Sequence, residues 1–294
     1  ATVLDNKKGM APGMIVQFEK RTWIFLPGVP REMKALFTDD ILPYLYRLTG
    51  REQMIKSTIL KFIGIGESAL EHELRDLIHH QTNPTIAPLA TDDGVVIRLT
   101  AKAASNEGLD SMLNETKAAV LERVGDYFVA ENEETIEEVI IEQLKAKALT
   151  IAAAESLTGG KFTEKLISVS GASDVVQGGI VCYSPEVKMG MLDVAEKVIQ
   201  EKGTVSEECA IVLAENVRKK LNADIGISFT GVAGPGEIEE KQAGTVYIGL
   251  STLREDTKAY GFQFQGNRNI VRRRAVMKGL ELIFNWVKFN NQSQ

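Results

Sequence analysis

The chain has 294 residues, 44% of them hydrophobic and 25% charged, with a formal net charge of -6. That length calls for two or three domains with ample core material and excludes a mini-protein held together by disulfides or metal. The negative balance excludes a nucleic-acid-binding surface spread over the whole chain, though not a local basic patch. No signal peptide is evident, and no apolar run is long enough to span a membrane. Cys182 and Cys209 are too few for a disulfide scaffold or a structural zinc site, so reduced, buried thiols in a cytoplasmic protein are expected. His72, His79 and His80 share one segment, but no Cys or carboxylate repeats around them at ligand spacing, so they read as a surface feature. Ala1 in place of an initiator Met reads as a processed chain or a fragment.

Residues 1–50 read as the tail of an α/β domain. Two β-rich runs, 14–18 and 22–26, flank the charged turn Glu19-Lys20-Arg21 and suit a hairpin. Pro27-Gly28-Val29-Pro30 breaks the second run. A helix is expected over 31–37 and a second helical stretch over 41–48. Thr49-Gly50-Arg51 looks like a boundary. An alternating, β-branched strand is then expected over 56–62, and a glycine turn at Gly64 and Gly66 leads into an amphipathic helix over 69–79. That Gly-x-Gly is not a dinucleotide fingerprint, because the third glycine and the surrounding βαβ unit are missing. Residues 83–88 are turn-rich and extended, 94–101 a strand, 108–125 a helix and 127–130 a short strand. The order β-α-β-β-α-β makes a small α+β module of roughly 80 residues over 51–132. Nothing in it stands out chemically. The acidic run Glu131 to Glu138 leads into a helix over 135–147, whose acid-first, Lys-last polarity suits the helix dipole.

From Leu149 onward strands and helices alternate. Strands are expected over 150–154, 176–183, 223–230, 244–251 and 258–264. Helices are expected over 161–168, 185–192, from Ser206 as N-cap to 221, and over 269–289. This argues a layered α/β/α domain over 133–294.

Three loops in that domain each follow an expected strand, so they can converge at one sheet edge. The first is Glu155-Ser156-Leu157-Thr158-Gly159-Gly160, the second Cys182-Tyr183-Ser184-Pro185-Glu186-Val187-Lys188, and the third Thr230-Gly231-Val232-Ala233-Gly234-Pro235. A fourth segment, Gly266-Asn267-Arg268 to Arg272-Arg273, starts the last helix. Ser and Thr at a helix start serve most often as N-caps. Taken together, though, the loops assemble a chemistry. A serine hydroxyl needs a neighbour to take its proton, and a desolvated lysine can do so, which casts Ser156 as nucleophile and Lys188 as base. Tyr183 would orient either group or donate to the leaving amine. Backbone N–H groups around Thr158 to Gly160, or at Gly231, would hold an oxyanion. Arg268 or Arg272 would pair with a phosphate. The domain has no histidine, which rules out a Ser-His-Asp triad.

These motifs, with Gly244-Thr245-Val246, resemble in order and spacing the C-terminal domain of the CinA family, the competence/damage-inducible proteins, over about residues 134–290. The segments Lys8 to Gly13 and Phe25 to Met33 are similar to the end of that family's N-terminal molybdopterin-binding-like domain, here lacking its first part, and 51–130 to its KH-type middle domain. The resemblance implies hydrolysis of nicotinamide mononucleotide to nicotinate mononucleotide and ammonia, a pyridine-nucleotide recycling step that needs no cofactor. It implies a homodimer, no membrane, and catalytic Ser156, Lys188 and Tyr183. Glu155, Thr158, Gly159, Gly160, Ser184, Thr230, Gly231, Ala233, Gly234, Arg268 and Arg272 would form the substrate-binding set. The alternatives are a catalytically silent nucleotide-binding or regulatory protein or, in the intact chain, an ADP-ribose pyrophosphatase carried by the N-terminal domain. A nucleic-acid role suggested by the KH-like fold is opposed by the net charge and by the lack of a basic Gly-x-x-Gly loop in 51–130. The loop Gly236 to Ala243 departs from the glycine-richer form usual in the family.

Overall fold

The structure is a computed structural model that describes residues 1–50, 53–91, 94–253 and 255–289. Arg51, placed at a boundary above, lies outside them. The chain divides into two compact units, one of 1–56 with 100–114 and the other of 57–99 with 115–294.

In the first unit, β1 (Thr2–Leu4), β2 (Gly13–Phe18) and β3 (Arg21–Phe25) form an antiparallel sheet. Glu19 and Lys20 both take positive φ, the conformation a tight hairpin needs. One sheet face buries Leu4 and Ile15 against Leu36 and Ile41. On the other, Val3, Met14 and Phe25 stand side by side in register and exposed. Helix α1 (Pro30–Leu36) runs through one π-turn (Phe37–Ile41) into α2 (Leu42–Thr49), so the two expected helices are continuous. Pro43 has no N–H to continue the ladder, and the wider turn just before it takes up the mismatch. Gly50 ends α2 with φ of 57°.

The middle of the chain gives β4 (Met54–Phe62), α3 (Glu67–Glu73), α4 (Arg75–His79), β5 (Thr85–Thr91), β6 (Gly94–Ala103), α5 (Asn106–Val124) and β7 (Phe128–Glu131). Its four strands form a sheet of order β5-β6-β4-β7. The single helix expected over 69–79 is broken at Leu74, where φ and ψ are -104° and 7°. The extended stretch expected over 83–88 supplies the second strand of the expected β-α-β-β-α-β order, formed over 85–91.

The rest comprises α6 (Ile136–Ala146), β8 (Ile151–Glu155), α7 (Lys161–Ile167), β9 (Val176–Val181), α8 (Pro185–Leu192), α9 (Glu196–Lys202), α10 (Glu207–Lys220), β10 (Ile225–Gly231), β11 (Thr245–Thr252), β12 (Lys258–Gln263) and α11 (Arg268–Phe289). Thr135 caps α6 in a reciprocal box with Glu138. Helix α9 was not expected: seven mostly charged residues carry too little apolar period to show. The sheet order is β12-β11-β10-β8-β9, with β8 parallel to both neighbours and β11 and β12 antiparallel. Ile151 and Ala153 face a core with α6, α7 and α11 residues, while Ala152 and Ala154 face Leu192, Cys209, Leu213 and Val217. This is a three-layer α/β/α arrangement, and β8 is buried on both faces. Helix α10 lies unusually close to the sheet. A Cβ at Gly226 would sit 2.1 Å from the Ala214 carbonyl oxygen, and one at Gly249 would sit 2.3 Å from that of Ala210. Among the described residues, no helix is long and apolar enough to cross a membrane, and no group of three or more His, Cys, Asp or Glu side chains is placed to hold a metal ion.

Candidate active site

Register brings the three loops together. Glu155 pairs with Phe229 on one side and Val181 on the other, so β8, β9 and β10 end in one row. Parallel strands discharge their following loops at the same edge, where a ligand can be approached from several elements.

Ser156 is the first residue past β8. Its N–H donates to the Phe229 carbonyl at 2.9 Å, and the Cys182 N–H donates to the Glu155 carbonyl at 3.0 Å, which fixes the strand end on both sides. Ser156 is 7% exposed. Lys188, 32 residues on, is 2% exposed, and its Nζ lies 3.0 Å from Ser156 Oγ. The same amine donates to the carbonyls of Cys182 at 2.8 Å and Tyr183 at 3.3 Å. No carboxylate among the described residues forms an ion pair with it. The two carbonyls take two of the amine hydrogens. The third direction on nitrogen faces Ser156, and Nζ donates to its Oγ.

Ser184 caps α8 through its Oγ, which accepts from Val187 N–H at 3.4 Å, and Pro185 sits in the first turn. The Ser184 hydroxyl is thus engaged in capping. Tyr183 is largely exposed, and its Oη accepts from Arg268 Nη2 at 3.2 Å; Arg268 Nη1 donates to the Gly234 carbonyl at 2.9 Å. Arg268 therefore joins the second and third loops at the mouth of the site. Arg272 is turned inward. Its Nε donates to the Leu157 carbonyl and its Nη2 to the Thr158 carbonyl, both at 2.8 Å.

Glu155 is fully buried. Its carboxylate accepts from Phe162 N–H at 3.0 Å, Thr163 N–H at 2.8 Å and Thr163 Oγ1 at 2.7 Å. It closes the loop onto the start of α7, so its oxygens are spent inside the protein. Gly179 makes room for this, since a Cβ there would overlap Thr163 Oγ1. Gly159 and Gly160 have φ of 60° and 91°, and a side chain at either would strain the turn. Thr158 is fully buried, and its Oγ1 has no hydrogen-bond partner among the described residues.

In the third loop, Thr230 Oγ1 donates to the Thr204 carbonyl at 2.6 Å. Gly231 lies where a Cβ would be 2.5 Å from the Thr245 carbonyl oxygen, and Ala233 is buried. Loop 236–243 forms a small hairpin with Ile238 bridging Lys241 and positive φ at Glu239 and Glu240. The Glu239 carboxylate accepts from Thr204 Oγ1 at 2.7 Å and Val205 N–H at 3.1 Å. Burial works to raise that carboxyl, but these hydrogen bonds outweigh it and hold it below the ordinary value. Thr204 and Glu239 thus brace the third loop. Sequence reading missed both, because a lone Thr and one acidic residue in a polar loop carry no pattern.

Both cysteines are buried and free. Burial pushes the Cys182 thiol up and the Cys209 thiol up to about 12, so neither supplies a thiolate at neutral pH.

Residues 57–130 match the family model described as the damage-inducible protein CinA KH domain, and residues 133–287 match the CinA C-terminal domain. A competence-damage inducible protein of Oceanobacillus iheyensis is 49% identical over 288 residues, covering 98% of this chain and 69% of its own length. Its counterpart from Bacillus pumilus is 46% identical over 286 residues, 97% of this chain and 68% of its own. Among solved structures, a competence or damage-inducible protein from Enterobacter asburiae superposes with a TM-score of 0.50 at 28% identity, over 53% of this chain and 99% of that one. A CinA superfamily protein from Klebsiella pneumoniae gives 0.50 at 25% identity, with the same coverage of each chain. On the family-model matches and the identity to these relatives, the chain belongs to the CinA family.

Proposed function

We propose that the chain is an amidase that hydrolyses the carboxamide of nicotinamide mononucleotide to nicotinate mononucleotide and ammonia. The observation that carries this reading is the 3.0 Å contact between Ser156 Oγ and the buried Lys188 Nζ. A hydroxyl and an amine at that distance form a nucleophile and its base. The Ser156 oxygen attacks the carboxamide carbon as its proton passes to Lys188. The oxyanion is held by loop N–H groups following Ser156. Lys188 returns the proton to the amide nitrogen, and the C–N bond breaks to release ammonia. Water then attacks the acyl-serine, gives up a proton to Lys188, and frees nicotinate mononucleotide and the serine. One water is consumed and one ammonia released.

The exposed guanidinium of Arg268, at the head of α11, suits the phosphate end of the substrate. Its planar fork already reaches two acceptors on opposite loops, and a phosphate is the stronger one. Tyr183 would be released from Arg268 when the phosphate arrives and become free to donate to the leaving nitrogen. The same reading includes a homodimer, which light scattering checks.

The test is ammonia release from nicotinamide mononucleotide by the purified chain. Ser156→Ala is expected to lower kcat at least about a thousand-fold, as loss of a nucleophile does, with the melting temperature little changed. Undiminished turnover by Ser156→Ala would remove the serine from the mechanism. A chain that binds the nucleotide and releases no ammonia would be a silent binding protein instead.

A further inference from the structure

We infer that Arg272 is a positioning residue for the oxyanion-binding peptides of the site, not a ligand of the substrate's phosphate; this rests on the amidase reading above. The guanidinium spans two consecutive carbonyls, those of Leu157 and Thr158, each at 2.8 Å. The peptides that carry these oxygens are trans. In a trans peptide, C=O and N–H point in opposite directions. Drawing both carbonyls onto Arg272 therefore turns the N–H groups of Thr158 and Gly159 away from it. Neither N–H meets an acceptor among the described residues. Thr158 is fully buried, and its Oγ1 is likewise without a partner among those residues. Gly159 is exposed and its N–H is open to solvent, whereas Thr158 is buried; a buried N–H is ordinarily paired, and one left without a protein acceptor two residues past Ser156 is a donor held for a ligand.

Competing influences on these peptides are few. The Thr158 carbonyl also accepts from Lys161 N–H, at the longer distance of 3.4 Å. The Leu157 carbonyl has Arg272 as its hydrogen-bond partner among the described residues. Gly159 lies against the guanidinium, where a Cβ would be 3.2 Å from Nη2, and its φ of 60° lets the chain reverse there. Two separate nitrogens of one rigid, planar guanidinium meet the two carbonyls and fix both peptides together, whereas a lysine would have to reach both from a single nitrogen on a flexible stem. Arg272 thus acts at a distance from the reacting atoms, through the direction it gives to two peptide dipoles. Such preorganised donors act in the transition state, where charge develops on the carbonyl oxygen, and add little to ground-state binding.

The experiment is steady-state kinetics of Arg272→Ala and Arg272→Lys with nicotinamide mononucleotide, together with the crystal structure of each variant. We expect kcat to fall about 100-fold or more in both, the loss typical of one oxyanion donor, with KM changed less than about threefold, since uniform binding is untouched. Added guanidinium ion is expected to restore part of the Arg272→Ala rate, and ammonium ion none. The crystal structures are expected to show the Leu157–Thr158 peptide rotated. A large rise in KM with kcat unchanged would overturn the inference and make Arg272 the phosphate ligand, and so would an unmoved loop. If the wild-type chain releases no ammonia, the amidase reading falls, and the crystallographic arm still decides whether Arg272 sets these peptides. Should Arg272→Ala not fold, Arg272→Lys carries the test, because it keeps the charge and stem while losing the fork.

Discussion

Glu155 offers the sharpest separation between a binding role and a structural one. The sequence places it beside Ser156, the proposed nucleophile, among polar residues. The structure gives its two oxygens three donors from α7, at 2.7 to 3.0 Å, and no exposure to solvent. Consider Glu155→Gln, which conserves shape. The amide oxygen keeps the Thr163 N–H and Oγ1 donors, but at neutral strength, losing about 1 kcal/mol at each. The amide nitrogen then faces the Phe162 N–H, donor against donor, and leaves that buried group unpaired for about 1–3 kcal/mol more. The total is roughly 3–5 kcal/mol, with no solvent screening to discount. For a domain of this size each kcal/mol shifts Tm by about 2–4 °C, so the drop is roughly 6–20 °C. Differential scanning fluorimetry and urea titration measure it. KM of the folded fraction should stay near that of the wild type. Thr163→Val should cost about 1–2 kcal/mol through the shared donor, and the double variant less than the sum. A variant with unchanged Tm and a tenfold higher KM would show that the carboxylate touches the substrate, and the capping argument would be wrong.

Other outcomes follow from the same structure. Gly249→Ala would drive a methyl group into the Ala210 carbonyl, which also accepts from Ser228 Oγ at 2.6 Å, so a loss of about 2 kcal/mol or more is expected in urea unfolding. The hydrogen bond from Arg123 holds the Asp76 carboxyl down to about 2, against an ordinary value of 3.8. Stability from a carboxyl depressed in this way is whole above the ordinary value and is lost as pH falls towards the lowered one. An acid titration followed by circular dichroism should therefore show a small, salt-sensitive loss between those two values that Asp76→Asn abolishes; an identical acid limb in the variant would contradict the pairing. Cys182 and Cys209 should resist a thiol reagent in the native protein and react fully after denaturation, and fast native labelling of either would contradict their burial.

The alternation of strands and helices after Leu149 was legible because each element is long enough to show its period and is closed by a recognisable signal. Ser206, expected as an N-cap, functions as one. Helix α9 left too little pattern, and the break at Leu74 lies inside a continuous amphipathic run that carries no glycine or proline. The pairing of 85–91 depends on β6, which no local feature of 83–88 announces. The convergence of three loops followed from strand polarity alone. What the loops' polar atoms do with one another did not follow from their spacing. Thr230, Ser184 and Glu155 hold internal bonds, and the partners that decide this, such as the Thr204 carbonyl and the Phe162 N–H, are backbone groups invisible in a string of residue types.

The meeting of Lys188 with Ser156 is different, because helix geometry makes it readable. Ser184 as N-cap and Pro185 in the first turn start α8 at a defined residue, and Lys188 N–H donates to the Ser184 carbonyl at 3.1 Å. Lys188 is therefore one full turn in, on the face above the cap. Long side chains on a helix lean back towards its N-terminus. The amine is thus sent towards the carbonyls of Cys182 and Tyr183, at the end of β9, which the register sets beside the end of β8 and Ser156. Moving the lysine one position along α8 would rotate it by about 100° and take it off that face. A Lys188→Ala, Met189→Lys double variant keeps the charge and the helix, yet should retain no more turnover than Lys188→Ala alone. Recovery by the double variant would mean that a nearby amine suffices without the directed contact, and the base assignment would lose its geometric support.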